Sequence, residues 1–140
     1  MEALRDLSWI PQLALPSVER LELRGFTLVL VSIPATASHH ADRFRYRLLA
    51  IDPTLERPVL SVGLESDILG DYCLSVQLAT EHRILARYEQ LPGIEEFRER
   101  AMAEADRRLP LHPGLAAEGQ SGRDRVRPRR AGRPGRSGGR

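Results

Sequence analysis

Lysine and asparagine are both absent from this chain of 140 residues, and arginine supplies every basic side chain other than four histidines. The codons of the two missing residues are A-rich, so their joint absence marks a GC-rich coding sequence in which Arg stands in for Lys. Arginine-rich stretches therefore carry less functional weight here than usual. Cys73 is the only cysteine, which excludes an internal disulfide and points to a reducing compartment. Long apolar runs are missing too: the longest, 26–33, is far too short to span a bilayer. The opening Met1-Glu2-Ala3-Leu4-Arg5-Asp6 lacks the basic-then-apolar pattern of a signal peptide, so the expected location is cytoplasmic, with no membrane partner. The glycines Gly63, Gly70 and Gly93 are scattered rather than gathered between a strand and a helix. No phosphate-cradling loop and no Ser or Cys nucleophile motif is present, and no cofactor is expected.

What is present divides by charge. Residues 1–120 carry 13 Arg against 18 Asp and Glu, a net −5, whereas residues 121–140 carry 8 Arg against one Asp, a net +7. The overall charge of +2 hides this asymmetry. Only the C-terminal stretch should attract nucleic acid or acidic surfaces.

Three consecutive runs between residues 43 and 80 alternate apolar and polar residues, as half-buried strands do. The first holds Phe44, Tyr46, Leu48 and Ala50 on one face, the second Leu60, Val62 and Leu64, the third Tyr72, Leu74, Val76 and Leu78. The apolar set always falls on even positions, so the register Leu48–Val62–Val76, flanked by Tyr46–Leu64–Leu74 and Ala50–Leu60–Leu78, keeps every greasy row in phase. This register sets Arg45 opposite Glu65, with Cys73 beyond it, and Arg47 opposite Gly63 and Ser75. The connections 53–57 and 67–71 have hairpin length and turn chemistry.

Around this meander, residues 18–33 are β-rich but change phase at Gly25, which predicts one bent strand or two short ones. Residues 81–90 fit a last strand or an irregular edge. From Ile94, the recurrence of Phe97, Ala101, Ala105 and Leu109 predicts a helix, with Glu95 and Glu96 in its first turn, Arg107 and Arg108 in its last, and Pro110 as its stop. The expected fold is α+β: an antiparallel meander of about four to five strands with one C-terminal helix packed on one face. The expected organisation is an N-terminal arm over 1–17 anchored by Trp9, the α+β domain over 18–110, and a disordered Arg/Gly/Pro-rich tail over 111–140.

Four sets of residues invite chemistry. The sheet face away from the helix should present Arg45, Arg47, Ser61, Glu65, Ser75 and Gln77, with Gly63 and Cys73. This flat polar surface is suited to a ligand or protein partner whose carboxylate or phosphate meets the arginines. Glu65, Asp67 and His82, with Asp71 and Glu81, gather acidity and a histidine at one end of the meander, where a general base or a divalent ion has candidates; Asp67 and Asp71 are equally what turns prefer. His39, His40 and Asp42 supply at most part of a metal site, since known signatures space histidines at i,i+4 or add cysteines. The tail's Arg/Gly repeats suit salt-dependent phosphate tracking, without the aromatics that add stacking.

Arg43-Phe44-Arg45-Tyr46-Arg47 opening a meander, with a helix bearing Phe97 closing the domain, resembles small TumE-type proteins of toxin–antitoxin modules over about half the chain. The stretch Glu65-Ser66-Asp67-Ile68-Leu69-Gly70-Asp71 departs from the acidic, glycine- and histidine-rich segment of that family, so no residue role is carried over. Three functional expectations follow. The first is a non-enzymatic binding or interaction protein using the polar sheet face, with a protein partner. The second is a small metal-dependent hydrolase or nuclease built on His39, His40, Glu65, Asp67 and His82, in the setting of a toxin–antitoxin component. The third is nucleic-acid tethering by the tail. An unpaired edge strand also leaves homodimerisation by sheet extension open.

Overall fold

The computed structural model describes residues 1–34, 43–67 and 69–114. His39, His40 and Asp42, and nearly all of the basic tail, lie outside the described residues. Residues Met1–Leu109 form one compact unit, and the described residues from Pro110 on belong to a second. In the second unit, the Gly114 amide donates to His112 Nδ1 at 3.0 Å. Among the described residues, no helix is long and apolar enough to cross a membrane.

The first unit is α+β. Six antiparallel strands follow one another in sheet order: β1 (Glu19–Leu23), β2 (Phe26–Ser32), β3 (Phe44–Asp52), β4 (Arg57–Ser66), β5 (Tyr72–Leu78) and β6 (Glu81–Tyr88). A short α1 (Trp9–Leu13) precedes them and α2 (Ile94–Arg108) closes the unit. The strand count exceeds the expected four to five at both ends of the sheet. Gly25 is the turn of a β1–β2 hairpin: Arg24 and Gly25 both take positive φ, at 52° and 92°, which matches the twist of a two-residue hairpin turn. Residues 81–88 pair with β5 along their length.

The expected central register holds. Leu48 pairs with Val62 and Val62 with Val76, and Tyr46–Leu64–Leu74 runs parallel to them. These side chains, with Phe26, Leu28 and Leu30 of β2, form the main core beneath Phe97, Ala101 and Ala105 of α2. Burying a phenylalanine such as Phe97 stabilises by roughly 1.5–3 kcal/mol, and its ring lies 5.3 Å from that of Tyr46. Arg98 grips Glu19 of β1 through two bonds of 2.5 and 2.9 Å. Arg24 donates to the carbonyls of Asp106 and Leu109, which the end of the helix leaves without an intrahelical donor. Glu104 pairs with Arg108 at 2.9 Å as the i,i+4 spacing predicts, while Arg100 turns to the Tyr88 hydroxyl.

The opposite face departs from expectation: it is half roofed. Val29, Val31, Ile33 and Phe44 form a second apolar cluster, against which Leu13 and Leu15 of the arm and Ile51 pack. The Leu4 amide donates to the Pro58 carbonyl at 2.8 Å, and Arg57 donates back to the Leu4 carbonyl at 3.0 Å. The arm is thereby pinned over β2–β4. The sequence signal was the run Phe26–Ile33, which is apolar at odd and even positions alike, as strands buried on both faces are.

Candidate ligand-binding groove

The arm changes the status of the polar sheet face. Arg47 is 0% exposed, and Ser61 and Ser75 are buried with it. The guanidinium donates to Ser61 Oγ (2.7 Å), Ser8 Oγ (2.8 Å) and Gln12 Oε1 (2.9 Å), and lies 4.1 Å from the centre of the Phe44 ring. The expectation that Arg47, Ser61 and Ser75 lie on an accessible surface is therefore corrected: all three are interior groups, Arg47 clamping the arm to the sheet with Ser61 as an acceptor, and Ser75 donating to Glu65. Gln77 and Arg45 stay partly accessible.

Among the described residues the sheet has three β-bulges, two of which redirect what remains open. Arg45 is an extra residue between Phe44↔Glu65 and Tyr46↔Leu64, so Phe44 crosses to the arm side. The expected Arg45–Glu65 pair gives way to Arg43–Glu65, in which Arg43 Nε donates to Glu65 Oε1. Val59 is extra between Ala50↔Leu60 and Ile51↔Pro58. Leu85 is extra between Leu74↔Ala86 and Ser75↔Ile84. This last bulge turns His82 and Ile84 to the face of Glu65 and Ser75. His82 points away from the core: its side chain is 52% exposed.

The outcome is a concavity of about 480 Å³ beside the arm-covered region, reaching from the β4–β5 turn along β6 as far as His82. Glu65, Asp67 and His82, which the sequence reading grouped, all line it. Arg43, Arg87, Leu69 and Ile84 line it as well and were missed, because the bulges that aim Arg43 and Ile84 are invisible to a period-2 reading. Glu81 pairs with Arg83 instead of joining the groove.

Glu65 is the electrostatic centre, with its side chain 13% exposed. Burial pushes its carboxyl up, but the Ser75 hydroxyl on Oε2 (2.7 Å), Arg43 on Oε1 and the nearby His82 outweigh that and hold it below the ordinary glutamate value. His82 Nε2 stands 3.7 Å from Oε2. Asp67 serves the turn: its Oδ1 accepts from the amides of Leu69 (2.8 Å) and Asp71 (3.1 Å), while Oδ2 lies 3.5 Å from Arg87. Arg87 also donates to Cys73 Sγ at 3.2 Å. Among the described residues, no group of three His, Cys, Asp or Glu side chains could hold a metal ion.

A pH dependence follows from Glu65. Its folded pKa lies below the ordinary 4.5, so its contribution to stability is complete above the unfolded value and is lost as pH falls through the folded one. Thermal melts between about pH 6 and about pH 3 should show Glu65→Gln losing less Tm than the parent protein over that interval. Equal losses would mean that Glu65 does not couple folding to pH.

No protein-family model matches this chain, and neither a curated protein nor a solved structure is significantly similar to it.

Proposed function

We propose that this protein is a small binding module, not an enzyme, and that it takes its ligand in the groove on the uncovered part of the polar sheet face. The observation that carries this reading is exposed apolar surface at a concave, charged site. Leu69 is 83% exposed and Ile84 50% exposed, and both line a cavity of about 480 Å³ rimmed by Arg43, Arg87 and His82. Pockets that capture small molecules combine apolar walls with a few placed polar groups at this scale.

The hydrolase alternative has less support. A general base must be free to accept a proton. Glu65 is held below its ordinary range and is already bound by Arg43 and Ser75, and Asp67 accepts two turn amides. Those are the marks of carboxylates that shape a site.

The test is titration of the full isotope-labelled chain with 1-octanol, read by amide chemical shifts. Shifts should concentrate in 65–73 and 81–88 and should disappear in the Leu69→Ser/Ile84→Ser variant. Shifts scattered over the arm or α2, or retained in that variant, would sink the reading.

A further inference from the structure

Resting on that reading of the groove, we infer the chemical class of its ligand: an amphiphilic monocarboxylate, its carboxylate between Arg43 and Arg87 and its aliphatic body over Leu69 and Ile84. The register carries the first half of the argument. Phe44, Glu65, Cys73 and Arg87 form one row across β3–β6. Arg43, next to the first of these, reaches inward to Glu65, and Arg87, from the far end, reaches inward to Cys73. Glu65 and Cys73 are directly paired, and directly opposed residues on antiparallel strands stand roughly 5 Å apart. Two guanidinium groups from opposite sides of the groove thus converge above one residue pair. Arg43 spends only Nε on Glu65, and its terminal nitrogens make no hydrogen bond to a described residue. Guanidinium donors arranged in this way match the two oxygens of a carboxylate.

The charges decide against the neighbouring classes. A cation would need Glu65 or Asp67, whose oxygens already accept from Arg43, Ser75 and the turn amides. A dianion such as a phosphate monoester would meet those same two carboxylates, which offset the two arginines, whereas a single negative charge adds the least repulsion. The walls then require the rest of the ligand to be apolar: Leu69 and Ile84 offer no hydrogen bond, and covering them removes apolar surface from water. A cavity of about 480 Å³ is of small-molecule size.

The experiment compares three probes with one tail, octanoate, 1-octanol and octylammonium, each titrated into the full chain and read by amide shifts. Octanoate should bind roughly tenfold more tightly than octanol, as a charge-assisted hydrogen bond implies, and octylammonium should bind most weakly. Arg87→Gln should bring octanoate down to the octanol level and leave octanol unchanged. Glu65→Gln should tighten octanoate binding, because the amide keeps an acceptor for Ser75 while a competing negative charge beside the arginines is gone. That gain cannot arise from a damaged fold.

Octanol or octylammonium matching octanoate, or Glu65→Gln weakening octanoate, would overturn the ligand class while leaving the groove as a binding site. Failure of all three probes to move the groove amides would overturn the site as well.

Discussion

Replacing Arg47 with alanine should cost roughly 2–5 kcal/mol, at about 1–3 kcal/mol for each buried polar group that loses its hydrogen bond, and should release the N-terminal arm before the sheet unfolds. The side chain is fully enclosed and donates to Ser8 and Gln12 on the arm and to Ser61 and Gln77 on the sheet. Its loss leaves Gln12 and Ser61 in the interior without this donor and opens a void beside the Phe44 ring. Asp6 loses support as well. Burial pushes its carboxyl up, but the Ser8 bonds and the charges of Arg47 and Arg43 hold it below the usual aspartate value.

Trp9, the sole tryptophan, sits in α1 and reports on the arm directly. In urea, Arg47→Ala should shift Trp9 emission to the red at lower denaturant than the loss of far-UV circular dichroism, where the parent protein shows one coincident transition. Arg47→Met, which restores much of the volume but no donor, should recover only part of the loss. Coincident transitions at the parental midpoint in Arg47→Ala would show that the clamp does not hold the arm.

The centre of the sheet was legible because its period was clean. Val62 and Val76 sit between small or polar neighbours and Leu48 continues the even row of Tyr46 and Ala50, and a slip of one residue would break all three rows at once, so the pattern specifies their pairing. Helix α2 was legible for similar reasons: apolar spacing, dipole-matched ends and a terminal proline agree. The site was harder to read. Glu65, Asp67 and His82 do meet in one groove, but not at one end of the meander: His82 pairs with Gln77, at the far end of β5 from the β4–β5 turn. The partner of Glu65 is Arg43 and not Arg45, and His82 faces away from the core. Both differences come from single extra residues, Arg45 and Leu85, each of which reverses the face of what lies beyond it. A bulge leaves no mark in a sequence when the displaced residues remain plausible on either face. Phe44 is such a residue, apolar enough for the main core and placed instead beneath Arg47.

Arg47 illustrates the other limit. An arginine at a polar position of a half-buried strand reads as a surface group, and burying its charge is costly unless several partners receive it. Those partners come from 35 and 39 residues upstream, in a segment whose sequence suggests only an arm anchored by Trp9. Pro11 is tolerated, since it occupies the first turn of α1, where no intrahelical hydrogen bond needs its nitrogen. Nothing local to residue 47 announces the clamp. It exists only once the arm is folded back, and it divides the polar face into a covered part that supports structure and an open part that can bind.

The same division rests on Gly63, where a single methyl group should be destabilising by about 1–3 kcal/mol, the usual range for overpacking. A Cβ at this position would lie 2.5 and 2.7 Å from two ring carbons of Phe44, inside any tolerable contact. The absent side chain is what lets the Phe44 ring lie flat against the strand, with the Arg47 guanidinium stacked over it. Elsewhere in a strand, glycine to alanine improves β-propensity slightly, so the sign at position 63 is itself informative. Gly63→Ala should lower the urea midpoint without changing the slope. Phe44→Leu in the same chain should restore part of the loss, because the smaller side chain vacates the space the methyl needs. In a double-mutant cycle the two changes should be non-additive by about 1 kcal/mol or more, as expected for residues in direct contact. Additive losses would place the strain elsewhere and remove Phe44 from the support of the groove, and a stabilised Gly63→Ala would show that the ring gives way freely.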